Sequence, residues 1–413
     1  MSARSRHQAA VVGAGPGGSL AAYQLAQRGC DVVLLDKQAF PRDKVCGDAI
    51  SPRGVHLLSE LGLMAEVERC GRRVSTLAAT GPGGASLRVP LPAHGPLGEH
   101  AYVIRRHDLD DLVRRKAEAA GASFEAGAHV TGLEASADGY RLQYSQGGRR
   151  HTLDVEAVIL AVGASLPLVQ ALGLAPQPVQ FSFAARAYFR NLEDLLPELH
   201  FRFDGIPLPG YGWIFPLSDH EANVGAGFFV RTASMPATPA AYLERFLRHP
   251  PIARQFARAE QLGPVKGYPL RTDFHRSRAV ADRLLLVGES VGLVNPFTGE
   301  GIDYALESGQ LAGQWLSRCL EAGDVSRRAL AGYDRELRRR FQATFVYTHL
   351  LRSLYMTPAL LDPLLRAGRR WPDLADRLVR IFLAYEHPLR ALTPLVALRV
   401  LRSLRQPEAA SPV

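Results

Sequence analysis

Three glycines, Gly13, Gly15 and Gly18, stand in the spacing G-x-G-x-x-G directly after the apolar run from Gln8 to Val12. That spacing suits a tight turn after a strand, a close backbone approach to a pyrophosphate, and a helix packed hard against a sheet. The helix amino terminus then turns free N–H groups and a positive dipole toward phosphate. Asp36 ends the next apolar run, from Asp31, where a ribose hydroxyl needs an acceptor. Together these residues predict a dinucleotide site. A second pattern lies far downstream. Tyr211, Trp213 and Phe215 alternate within Gly210 to Pro216, so on a strand they share one face. Such a face lines either a slot for an apolar ligand or an aromatic core.

The elements that must hold these residues follow from local pattern. A strand over Gln8 to Val12, a helix over Gly18 to Arg28 and a strand over Asp31 to Asp36 make an opening βαβ unit. Pro82 to Pro96 reads as an excursion into another layer, and Asp108 to Ala120 as a helix. Phe124 to Tyr144 reads as alternating strands, and Val155 to Val162 as an apolar strand closing on Gly163. Val179 to Val230 is rich in strand formers and predicts a substrate-facing sheet. Arg283 to Val287 is a late buried strand, followed by a glycine-rich turn and a helix over Gly301 to Leu316. Beyond Ser326 the chain is expected to be helical, with a disordered tail from Pro407.

Bulk properties narrow the function classes. The 413 residues, 47% hydrophobic and 22% charged, fit a globular enzyme. The net charge of +9 comes almost wholly from arginine, since only Lys37, Lys44, Lys116 and Lys266 are present. No basic run is interleaved with aromatics, so nucleic acid is not an expected partner. The four cysteines show no ligand spacing, which predicts no metal site and fits a reducing cytoplasm. No window of about 18 uninterrupted apolar residues predicts a membrane span.

Pro41-Arg42-Asp43-Lys44-Val45-Cys46-Gly47-Asp48, the aromatic stretch with Asn223-Val224-Gly225-Ala226-Gly227, and Asn295 to Ile302 occur in that order. With the first glycine motif, they resemble the geranylgeranyl reductase family of FAD-dependent oxidoreductases, and its actinobacterial menaquinone-reducing branch in particular. The resemblance implies an α/β fold: a Rossmann-type FAD-binding domain, an interleaved β-sheet substrate domain and a C-terminal helical segment. The corresponding boundaries are 1–75, 100–175 and 271–325 for FAD, 76–99 and 176–270 for the substrate sheet, and 326–413 for the helices.

It also implies roles. Gly13, Gly15, Gly18, Asp36, Lys37, Lys44, Cys46, Gly47, Arg106, Gly163, Gly288, Glu289, Gly299, Gly301 and Ile302 would bind FAD. Tyr211, Trp213, Phe215 and Pro216 would hold a polyprenyl or other apolar substrate. Cys46 would lie by the flavin ring, as a proton donor to an unactivated alkene or as packing alone. Val162 stands where relatives carry Asp, and Glu289 where the wider family commonly has Asp. The electron donor is left between NADPH and a ferredoxin-type protein. Two other classes remain open, an oxygen-using monooxygenase or halogenase and a flavin-bound scaffold without redox chemistry. A lipid substrate would bring the chain to the inner face of a membrane, where Leu398, Leu401 and Leu404 beside Arg399, Arg402 and Arg405 can meet headgroups or pack on the protein body.

Overall fold

The computed structural model describes residues 6–229 and 238–404. Strand Arg6–Val12, helix Pro16–Ala26 and strand Val32–Asp36 form the expected βαβ start. The two strands pair in parallel, with Ala9 opposite Val32 and Val12 opposite Leu35. They sit at the centre of an eight-stranded sheet that also takes in Ser123–Ala126, Arg149–Leu160 and Leu284–Leu286. All five residues of Val32–Asp36 are buried, as expected for a parallel strand covered on both faces.

Strand Arg149–Leu160 starts earlier than its apolar run suggests. Its polar first half pairs antiparallel with Gly139–Gln146, while its apolar second half pairs in parallel with Arg6–Val12 and Leu284–Leu286. Hydrophobicity marked only the buried half. Helix Ile302–Glu321 crosses helix Pro16–Ala26 closely because both carry glycines at the contact. A methyl on Gly309 would run into the Gly17 carbonyl, and one on Gly313 would lie 2.6 Å from the Ala21 carbonyl oxygen.

A second, seven-stranded sheet runs Glu260–Arg271, Phe181–Arg190, Ala222–Phe228, Gly210–Pro216, Glu198–Arg202, Thr76–Thr80, Ser86–Pro90. Strand Ser86–Pro90 lies in the proline-rich excursion and pairs with Thr76–Thr80 just before it, which joins this sheet through Glu198–Arg202.

After the long helix Arg327–Tyr355, helices Pro358–Arg370 and Pro372–Phe382 fold back over this sheet. Asp362 fixes them there by accepting N–H bonds from Gly83 (2.7 Å) and Ala85 (3.2 Å). No described helix is long and apolar enough to cross a membrane. Arg405 and the tail from Pro407 lie outside the described residues.

Candidate functional site

A cavity of about 720 Å³ lies between the two sheets, within the range of small-molecule sites. It collects every residue that the sequence put forward except Pro216. Pro216 is buried at the end of its strand, opposite Ala222. Strand parity explains this: Tyr211, Trp213 and Phe215 share the cavity face, and residue 216 falls on the other.

The polar end is built by the first glycine turn. A methyl on Gly18 would run into the Gly13 carbonyl, and a methyl on Gly13 into that of Ala161. Both positions are closed by the fold itself. A methyl on Gly15 would meet no protein atom nearer than 3.9 Å, so the space beyond it belongs to the cavity. Helix Pro16–Ala26 begins there with Gly15 as its cap and no side chain satisfying its first N–H groups. Asp36 accepts from the Ala14 and Gln38 N–H groups at 2.8 and 2.9 Å, which fixes its carboxylate at the strand end. Lys37 is exposed at the rim. An open glycine cradle, an uncapped helix start and an oriented acidic side chain together fit the pyrophosphate and ribose of FAD.

Deeper in, Glu289 accepts the Arg271 N–H at 3.0 Å. Burial raises its carboxyl pKa, opposed by the Lys44 ammonium and that hydrogen bond. Lys44 lies 2.9 Å from the centroid of the Tyr268 ring. Burial lowers its ammonium pKa to about 8, with Glu289 pulling the other way. Arg271 is fully buried and ties this loop down through Asp273 (2.8 Å) and Ser277 (2.7 Å). Gly163 keeps a left-handed φ of +62° beside Glu289 and Tyr268. Val162 lines the same wall with no hydrogen-bonding group.

The loop carrying Cys46 lines the cavity, with Gly47 against the Trp213 and Phe215 rings. Burial raises the Cys46 thiol pKa, opposed by the Arg106 guanidinium. Arg106 is itself buried and held by Asp110 at 2.6 and 2.8 Å. It is not a surface residue. Asp48, fully buried with φ +65°, accepts from Tyr188 (2.7 Å) and from Asn223 (2.8 Å). Burial raises its pKa to about 6 against those hydrogen bonds.

Asn223 is the joint of the site. Its amide also donates to the Cys46 carbonyl (2.8 Å), and its carbonyl accepts from the Trp213 indole (2.9 Å). Gly225, two residues on, leaves the room that the Trp213 ring fills. The Asn-Val-Gly segment thus locks the aromatic strand to the Cys46 loop. Its spacing was visible in the sequence, but its partners were not.

The apolar end is aromatic. Phe201 packs edge-on against Tyr211, Phe215 and Phe382 at centroid distances of 5.3, 5.2 and 5.0 Å. Phe382 and Leu383 come from the C-terminal helices and line the cavity, as does Phe229. Sequence reading missed Phe201, Phe229, Phe382, Asp48, Tyr188 and Tyr268. Asp48 sits inside a quoted motif and was within reach. The others depend on packing between segments far apart in the chain.

Comparisons with known proteins agree with this geometry. Residues 6–188 match a family model described as an FAD binding domain. The menaquinone reductase of Mycolicibacterium smegmatis is 34% identical over 333 residues, which is 76% of this chain and 77% of that protein. Digeranylgeranylglycerophospholipid reductase 1 of Methanothermobacter thermautotrophicus is 30% identical, over 79% and 80% of the two chains. Among solved structures, a geranylgeranyl bacteriochlorophyll reductase-like protein from Thermoplasma acidophilum aligns with a TM-score of 0.78. It is 21% identical, covering 92% of this chain and 100% of that one. A flavin-dependent brominase reaches 0.75 at 18% identity, over 91% and 93%. Those two structural likenesses establish the fold alone.

Proposed function

This chain belongs to the geranylgeranyl reductase family of FAD-dependent oxidoreductases, and from that premise we propose that it saturates isolated double bonds of a polyprenyl chain carried by a quinone or lipid. The observation that carries this reading is the shared cavity. A glycine cradle for FAD and an aromatic slot open into one space, joined at the Cys46 loop by Asn223. When bound, FAD in its reduced form supplies the hydride. The chain's residues hold it, orient the alkene, exclude water and deliver the second hydrogen as a proton.

Gly13, Gly15, Gly18 and Asp36 bind the dinucleotide half in this account. Arg106, Lys44 and Glu289 frame the ring end, with Gly163, Gly288, Gly299, Gly301 and Ile302 giving close backbone approach. Tyr211, Trp213 and Phe215, covered by Phe201 and Phe382, confine the prenyl chain and keep water from it. Cys46 stands between the two ends. Burial keeps its thiol protonated, and the neighbouring Arg106 guanidinium stabilises the thiolate left after donation, so we assign it as a proton donor.

The substrate's lipid character gives the exposed apolar side chains a use. Eight of the nine large exposed hydrophobics among the described residues lie between Val346 and Leu404, Leu398 and Leu401 among them at 44% and 57% exposure. Each leaves a large part of its side chain open to solvent. Arg399 pairs with Asp373 (2.6 Å), leaving Arg402 as an exposed cation beside them. We assign this face to a peripheral membrane contact.

Mass spectrometry of prenyl quinones and prenyl lipids incubated without oxygen, with chemically reduced flavin, tests the reaction. Products heavier by hydrogen alone are expected. Unchanged substrate, or oxygen or halide in the product after incubation in air, would sink the reading. Supplying NADPH in place of the chemical reductant tells a pyridine-nucleotide donor from a ferredoxin-type protein.

A further inference from the structure

Beside the cavity, three buried polar oxygens have no hydrogen-bond partner: Glu300 Oε1, Asp303 Oδ1 and the Tyr385 hydroxyl. Asp303 is fully buried in the first turn of helix Ile302–Glu321, and its other oxygen accepts from Ser51. Glu300 precedes that helix and lines the cavity. The two carboxyl groups face each other within hydrogen-bonding reach. Two carboxylates cannot hydrogen-bond without a proton between them, and burial together with the neighbouring Glu300 charge pushes the Asp303 pKa well up. One shared proton would give both carboxyl groups a partner. Gly54 makes room for this, since a methyl there would press on Asp303 Oδ1.

The pair also lies between two spaces. On its far side is a second, more open pocket of about 470 Å³, lined by Arg53, Glu307 and Tyr385 among others. Tyr385 is close enough to Asp303, Glu300 and Arg53 for their charges to act on its hydroxyl. On its near side Tyr211 stands where both Glu300 and Cys46 act on its phenol. The polar and titratable groups around the pair are Ser51 and Arg53 from the segment opening helix Pro52–Glu60, Tyr304 and Glu307 on its own helix, Arg340 bonded to Glu307, and Tyr385.

We propose that Glu300 and Asp303 hold one shared proton and feed it to the cavity, with the outer pocket refilling the pair past Tyr385. The proposal rests on the prenyl-reduction reading. Saturating one carbon–carbon bond adds a hydride, which carries both electrons, to one carbon and a proton to the other. Phe201 and Phe382 wall the cavity's aromatic end, and a protein route supplies that proton in this account. The pair gives up its shared proton inward and regains one from solvent, with no change of redox state in the protein. Glu300 and Asp303 act through Cys46 or ordered water, and are positioning residues for the proton.

Infrared spectra of the flavin-loaded protein across pH, without substrate, test the pair itself. Wild type should show at neutral pH, beyond the carboxyl signal of Asp48 and Glu289 that every variant keeps, a protonated-carboxyl carbonyl band that shifts in heavy water, moves in Glu300→Gln and is lost in Asp303→Asn. Glu300→Gln, which can still hydrogen-bond to Asp303 and so preserve the fold, should lower kcat about 100-fold with KM unchanged. A wild-type spectrum lacking the band overturns the proposal, and so does a Glu300→Gln enzyme with wild-type kcat. Should wild type saturate no prenyl chain, the reading of the reaction falls, while the band still decides whether the proton is shared.

Discussion

The two ends of the cavity are built on opposite plans. At the glycine end, neighbours in sequence make the site: Gly13, Gly15 and Gly18 shape one turn, and the helix start follows within a few residues. At the aromatic end, residues 199–229 are closed over by Phe382 and Leu383 from helices that follow much later. The first plan binds a group whose shape is fixed. The second leaves a slot whose walls belong to separately packed layers, a design suited to a long, flexible, apolar chain. Asn223 connects the two, and substitutions on either side of it should separate their duties.

The largest effect is expected within the glycine turn. Gly18→Ala drives a methyl into the Gly13 carbonyl and should cost several kcal/mol, beyond the ~1–3 kcal/mol of ordinary overpacking, leaving little folded protein. Gly15→Ala meets no protein atom, so it should fold with an unchanged melting temperature and lose about tenfold in FAD affinity. Flavin absorbance per chain and thermal melts read both. Equal behaviour of the two variants would break the distinction between a turn that serves the fold and one that serves the ligand.

The joint comes next. Asn223→Ala removes the partners of Trp213, the Cys46 carbonyl and part of those of Asp48. A loss of about 3 kcal/mol is expected by chemical denaturation, from ~1–3 kcal/mol for each buried group left unpaired. Turnover should fall more than flavin content, because flavin contacts at the glycine end survive. Asp48 gives this region a pH signature. Its folded pKa of about 6 lies above the unfolded value of 3.8, so the folded state binds the proton more tightly. Its contribution is therefore fully present below the unfolded value and is lost as pH rises through about 6. The size is ~3 kcal/mol at ~1.4 kcal/mol per unit. Asp48→Asn should flatten this part of the stability profile between those limits, and an unaltered profile would remove the group from the account.

At the aromatic end, Phe382→Ala should raise KM for a prenyl substrate about tenfold while leaving FAD affinity at the wild-type value. A loss of flavin instead would mean that the C-terminal helices support the cofactor. The smallest effect is expected at the outer face. Leu398→Asp with Leu401→Asp should weaken pelleting with anionic vesicles but preserve turnover on detergent-dispersed substrate.

How much of this was legible depended on range along the chain. The βαβ start, Asp36 and the alternation of Tyr211, Trp213 and Phe215 were readable because helix and strand periodicity act over a few residues. The parity that put those aromatics in the cavity also excludes Pro216, and counting alternate positions would have excluded it in advance. The route from Tyr188 to Asp48 spans 140 positions, and no periodicity records it. The same holds for Phe382, whose helix reads in sequence as one more amphipathic segment. The late helix was readable from Gly301 onward, but the unpartnered oxygens of Glu300 and Asp303 at its start show only once the packing around them is known.

The central claim, that one cavity lets a prenyl alkene take hydride from the bound flavin, is tested most directly by an anaerobic single turnover. The flavin of the purified protein is reduced by light, excess reductant is absent, and its absorbance is followed after mixing with a prenyl quinone or lipid. The account predicts recovery of the oxidised spectrum in step with saturated product. A flavin that stays reduced with every prenyl substrate, and is reoxidised only when air is admitted, would contradict it.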